Sequence, residues 1–118
     1  MTQDVVQEVA DLIWAGRQDA AVATATAALA DADAPALTVA QRVRLLVLRS
    51  QSQGLKGEWP QATGDAQAAW VLADRARSDA LRAHACVALV TMQVREGQLT
   101  QAEATAQRGL RATKPKAS

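Results

Sequence analysis

The sequence predicts an all-α protein of six helices, arranged as three helix-turn-helix hairpins stacked into a short solenoid. The first observation behind this is a glycine that returns about every 40 residues with similar neighbours: Gly16-Arg-Gln-Asp-Ala-Ala21, Gly57-Glu-Trp-Pro-Gln-Ala62 and Gly97-Gln-Leu-Thr-Gln-Ala102. An alanine-rich amphipathic stretch follows each glycine and a longer apolar-patterned stretch precedes it, so one unit is written three times. The second is composition: alanine dominates the apolar residues, Phe and Tyr are absent, and β-branched residues are scattered, which favours helix over strand. The third is size, because 118 residues suffice for a single domain with a modest core. The expected repeats span about 1–34, 35–76 and 77–114, with 115–118 a frayed tail.

The first helix is expected from about Thr2 to Ala15, where Val5, Val6, Val9, Leu12 and Ile13 form one apolar stripe and Gly16 ends the helix. A second runs roughly from Asp19 to Asp31, with alanine at nearly every inward position. The segment Asp31-Ala-Asp-Ala-Pro35 reads as a linker between hairpins. Thr38-Val-Ala-Gln41 reads as a capping box for a third helix reaching about Lys56. Within it Val43, Leu46, Val47, Ser50 and Gly54 share a face, the last two small enough for close helix approach.

Gly57 breaks that helix, and Pro60 suits the first turn of a fourth that ends near Arg75. Ser78 or Asp79 caps a fifth, whose buried side would hold Leu81, Ala85, Ala88, Leu89 and Met92, with Gly97 at its end. Thr100-Gln-Ala-Glu103 reads as a second capping box, opening a sixth helix to about Ala112, before Lys114-Pro115-Lys116.

These residues resemble the tetratricopeptide repeat (TPR), in which a glycine ends helix A and a small residue follows five positions later in helix B. Gly16, Gly57 and Gly97 match the glycine, and Ala21, Ala62 and Ala102 the small residue. Ala28, Ala69 and Gly109 match a second small position, and Leu29, Trp70 and Leu110 the large apolar residue after it. The resemblance covers the chain and implies a right-handed solenoid. The spacing of about 40 residues exceeds the usual unit and is similar to longer variants in bacterial regulatory proteins. Where the family usually has leucine in helix A the copies read Glu8, Arg49 and Leu89. An ion pair between Glu8 and Arg49 across neighbouring repeats is one use of that departure, worth about 0 to 1 kcal/mol if exposed.

The family's functional surface is the concave groove lined by helix A of successive repeats. Carried across residue by residue, the resemblance implies Gln3, Val6, Ala10, Ile13 and Trp14 from the first copy. It adds Arg44, Val47, Gln51 and Leu55 from the second, and His84, Val87, Thr91 and Arg95 from the third. Apolar patches beside Arg44, His84 and Arg95 suit a peptide offering an acidic group next to apolar side chains. The plainer alternative is a set of ordinary solvated helix residues. The lysine and asparagine set that clamps chaperone C-termini in some family members is missing.

Catalysis is not expected. His84 and Cys86 are the only residues of their types and lie two apart on a helix, so they cannot form a nucleophile-base pair alone. One His and one Cys fall short of a metal site, and Gly54-Leu-Lys-Gly57 is two helix-ending glycines rather than a phosphate loop. No cofactor is implied. Cys86 reads as a small core residue, and its being the single cysteine suits a reducing compartment. With no leader at Met1-Thr2-Gln3-Asp4 and no long apolar run, the expectation is a cytoplasmic protein. Trp59 and Trp70 read as packing residues, and Trp14 as packing or groove.

Charge is unevenly placed along the chain. Before residue 42 six acids face Arg17 alone, a balance of −5, and the remainder carries twelve bases and six acids, a balance of +6. In a stack of repeats that order becomes an acidic end and a basic end, which suits head-to-tail self-assembly, the alternative function. A minor alternative is nucleic-acid contact by the row Arg42, Arg49 and Lys56 together with Arg108, Arg111, Lys114 and Lys116, although the net charge of +1 is low for such a binder.

Overall fold

The computed structural model describes residues 4–30 and 37–113. Six helices run in order: α1 (Val5–Trp14), α2 (Gln18–Ala30), α3 (Val39–Leu55), α4 (Trp59–Ala76), α5 (Asp79–Arg95) and α6 (Leu99–Thr113). Among the described residues there is no strand. Each helix packs on the next, α3 also touches α1 and α5, and no Cα of α2, α4 or α6 lies within 8 Å of another of these three. The odd-numbered helices therefore form a continuous layer and the even-numbered ones a second layer split by clefts. This packing of neighbours is consistent with a helical repeat. The Asp31 to Pro35 linker, Gln3 and the Lys114 to Lys116 tail lie outside the described residues.

The three repeat glycines share one turn geometry, with φ of +75° at Gly16, +79° at Gly57 and +77° at Gly97, where a Cβ would be strained. In the first turn Arg17 N–H donates to Leu12 O at 2.9 Å and Gly16 N–H to Ile13 O at 3.0 Å. The same two bonds recur from Glu58 to Gln53 and Gly57 to Gly54, and from Gln98 to Gln93 and Gly97 to Val94. Each satisfies carbonyls that the helix end leaves open, the Schellman pattern. Side-chain caps open other helices. Asp4 Oδ1 accepts from Val6 N–H at 2.9 Å, and Ser78 Oγ accepts from Leu81 N–H at 3.3 Å. The Thr38 capping box is formed in both directions, Gln41 N–H to Thr38 Oγ1 at 3.1 Å and Thr38 N–H to Gln41 Oε1 at 2.8 Å.

The second capping box is not formed as expected. The sixth helix begins at Leu99, so Thr100 lies inside its first turn, and Ala102 N–H already donates to Gln98 O at 2.9 Å. The core is centred on the second and third hairpins, where Val43, Leu46, Val47, Trp70, Leu89 and Met92 pack with a run of buried alanines on α4 and α5. A smaller cluster of Val9, Ala21, Ala25 and Leu45 joins the first hairpin to α3. Alanine at Ala62, Ala66, Ala69 and Ala73 lets α4 lie close to its neighbours, close enough for buried Ser50 Oγ to donate to Ala62 O at 2.7 Å. Leu81 is only half-buried. Trp70 is 7% exposed, whereas Leu110, its counterpart in the third hairpin, is 71% exposed.

Arg49 does not pair with Glu8. Its guanidinium spans both even-numbered neighbours, with Nε and Nη2 on the Asp65 carboxylate of α4 at 2.6 and 2.7 Å and Nη1 on Thr26 Oγ1 of α2 at 3.1 Å. The Asp65 bonds hold the Arg49 proton more firmly than usual, against the opposing effect of burial. Lys56 is bound to Asp19 and Glu58. Two members of the expected basic row are thus neutralised by acids of this chain, and the third, Arg42, is half-buried.

Candidate interaction groove

The layer of α1, α3 and α5 carries a hollow of about 270 Å³ lined by Ile13, Gln51, Gly54, Leu55, Trp59, Thr91, Met92 and Arg95. Three helices and the start of α4 converge on it. The Gly57 turn swings Trp59 back against α3, and Gly54 makes room: a Cβ there would lie 3.0 Å from the Trp59 ring and 3.2 Å from Met92 Sδ. The Arg95 guanidinium sits 5.8 Å from the centre of the Trp59 ring, within range of a cation–π contact. The result is an apolar floor of Ile13, Leu55, Trp59 and Met92 with a cation at its edge.

Of the residues carried over from the resemblance, Ile13, Gln51, Leu55, Thr91 and Arg95 are brought together here. Arg44, His84 and Val87 are exposed on the same two helices, α3 and α5, outside the hollow. Trp14 is almost wholly exposed and does not line it. Val47 is corrected, since it is buried in the main core rather than open to the groove. Val6 and Ala10 are half-buried on α1, and Gln3 is outside the described residues.

Trp59, Gly54 and Met92 are the lining residues that the repeat positions did not point to. The available signal was local: Trp59 is the one aromatic at a position that reads Gln18 and Leu99 in the other copies. Partial burial of its ring pushes the His84 imidazole below its ordinary range, and the nearby positive charge of Arg44 adds to the shift. The cation at the hollow's edge is Arg95.

Cys86 is half-buried between α5 and α6, its Sγ 3.6 Å from Thr105 O, and burial raises its thiol pKa against a smaller opposing effect of Arg108. Among the described residues no three of His, Cys, Asp or Glu gather as a metal site, and no helix is long and apolar enough to cross a membrane. No protein-family model, curated protein or solved structure matches this chain.

Proposed function

We propose that the chain is a non-catalytic protein-interaction module of the tetratricopeptide type, whose odd-helix layer receives a peptide presenting an apolar side chain beside an acidic group. The observation that carries this reading is the Trp59–Arg95 hollow, in which an apolar floor and a guanidinium lie side by side. An arginine stacked on an aromatic ring is preorganised, so less rotamer freedom is lost when it takes a carboxylate. Arg44, on the same layer, extends the cationic side along the helices.

The test is selection from a displayed random-peptide library. Enriched sequences should carry an Asp, Glu or terminal carboxylate next to a Leu-, Ile- or Phe-like residue. Arg95→Glu should weaken the best peptide by about ten-fold or more with the helical circular dichroism unchanged, because it sets like charges against each other at the contact. Selected peptides lacking an acid, or binding that ignores Arg95→Glu, would reject the groove.

One observation favours a second reading, self-assembly. The outer face of the last hairpin is a shallow apolar hollow of about 430 Å³, lined by Cys86, Val87, Val90, Gly109 and Leu110 among others. An open apolar face of this kind marks a contact surface. Asp4 caps the start of α1 and Asp11 is exposed on that helix, and α6 carries exposed Arg108 and Arg111, so a second copy stacked head-to-tail would meet opposite charge. Sedimentation in low salt at high micromolar concentration should then give a mass that grows with concentration and shrinks with added salt. A monomer throughout would remove this reading.

A further inference from the structure

The two clefts between even-numbered helices occupy equivalent places in the repeat but are filled differently. The first, between α2 and α4, is bridged by Arg49, whose donor fork is bound by Asp65 and Thr26. Gln53 completes that arrangement: with its amide oriented by its neighbours, Nε2 donates to Asp65 Oδ2 at 2.9 Å and to Gln61 O at 3.1 Å. Counting from the repeat glycines, Arg49 corresponds to Leu89, Gln53 to Gln93, Asp65 to Thr105 and Thr26 to Gln67. The acceptor positions are thus kept polar in the next repeat while the arginine that filled them is replaced by a core leucine.

The second cleft, between α4 and α6, is correspondingly open. It is a hollow of about 550 Å³ lined by Thr63, Gln67, Gln93, Glu96, Thr105 and Arg108 among others. Gln93 and Thr105 are 7% and 1% exposed, yet Gln93 Oε1 and Thr105 Oγ1 have no hydrogen-bond partner among the described residues. Buried polar atoms are almost always paired, and an unpaired one is costly. In the equivalent cleft Asp65, at the position of Thr105, is paired with the Arg49 guanidinium, and Gln53, at the position of Gln93, donates to that same carboxylate. A negative charge is also at hand, because Glu96 lines the cleft and accepts a hydrogen bond from Thr63 Oγ1.

We propose that the α4–α6 cleft is a binding site for a guanidinium group supplied from outside the chain, seated on Gln67 and Thr105 as Arg49 is seated on Thr26 and Asp65, with Gln93 Oε1 as a further acceptor and Glu96 as counter-charge. The planar fork of donors matches a set of convergent acceptors better than the point charge of an ammonium does. Arg108, exposed on the α6 wall, opposes the ligand's charge and sets an upper limit on affinity. The site is distinct from the Trp59–Arg95 hollow and would stand if that reading failed.

The experiment is a ¹⁵N-resolved NMR titration of the full chain with three probes: propylguanidine, the peptide acetyl-Ala-Arg-Ala-amide and its lysine counterpart. The guanidinium probes should give saturable shifts at the Gln93 side-chain amide and at the Thr63 and Thr105 backbone amides, with the arginine peptide binding about ten-fold more tightly than the lysine peptide. Propylguanidine binding as well as the arginine peptide points to a free small molecule, and a clear advantage for the peptide points to a partner's side chain; either supports the site. Thr105→Val, which keeps the shape, should weaken binding, Thr105→Asp, which restores the Asp65 chemistry, should strengthen it, and Gln93→Leu provides a second loss variant. Arg108→Ala should strengthen it. Absence of saturable shifts at these residues, indifference to Thr105→Val, or loss of binding in Arg108→Ala would overturn the proposal.

Discussion

Asp65→Ala is expected to lower the stability of the chain by about 2 to 3 kcal/mol, somewhat below the ~3 to 5 of a fully buried pair because Arg49 and Asp65 keep 20% and 12% of their side-chain surface in solvent. In a domain of this size that is a fall in melting temperature of roughly 8 to 12 °C. The damage comes less from the lost attraction than from what is left behind, a largely buried guanidinium facing an alanine, with Gln53 deprived of one of its two acceptors. The double variant Arg49→Leu, Asp65→Thr removes both charges and copies the Leu89 and Thr105 of the following repeat. It should return to within about 1 kcal/mol of the native chain, since replacing both charges of a buried pair together is often near neutral, whereas removing one leaves the other uncompensated. Thermal melts of the native chain, Asp65→Ala, the single variants Arg49→Leu and Asp65→Thr, and the double variant decide it. A harmless Asp65→Ala, or a double variant as damaged as the sum of its singles, would show that the bridge between α2 and α4 contributes nothing.

The helix ends were legible wherever the determinant is covalent and local. Gly16, Gly57 and Gly97 forced the same left-handed turn three times, and Thr38 with Gln41 formed the box their spacing implies. The misplaced starts have one physical cause. Asp19 and Thr100 offer the better-known capping side chains, but the Schellman bonds across each glycine already aim the chain into the next helix. All three B helices therefore begin two residues after the glycine, at Gln18, Trp59 and Leu99. Turn geometry outranked side-chain preference.

Tertiary partners were less legible. Arg49 was set against Glu8 because both stand at the same repeat position, whereas a long arginine side chain reaches out of its own layer to Asp65 and Thr26. The groove shows the same division. Gln51, Thr91 and Arg95 followed from repeat positions alone, because exposure on an A helix is set by the period of the helix. Val47 did not follow, since α3 lies between α1 and α5 and a position open on an end helix is covered on the central one. Trp59 and Met92 enter the hollow only because Gly54 has no side chain, a relation between three elements that no single stretch of sequence carries.

Gly109→Ala is expected to destabilise the chain even though alanine is the better helix former. A Cβ at Gly109 would stand 2.3 Å from Cys86 Sγ and 3.2 Å from Cys86 Cβ, so α6 must move away from α5 or the sulfur must leave its place against Thr105 O. Overpacking of this kind costs about 1 to 3 kcal/mol, against a gain of about 1 kcal/mol in helix propensity, leaving a net loss of up to about 2 kcal/mol. The contacting atom dictates the control. In a Cys86→Ala background the sulfur is gone, only the tight Cβ approach remains, and the propensity gain is no longer outweighed. Gly109→Ala should there become neutral within about 0.5 kcal/mol or mildly stabilising, a change of sign that additive effects cannot produce. Denaturant titrations of the four proteins measure it. If Gly109→Ala is equally damaging with and without the sulfur, the close approach of α5 and α6 is set by their backbones rather than by the Cys86 contact. If it is harmless in both, the two helices do not meet at Gly109, and the last hairpin packs in a different register from the one described.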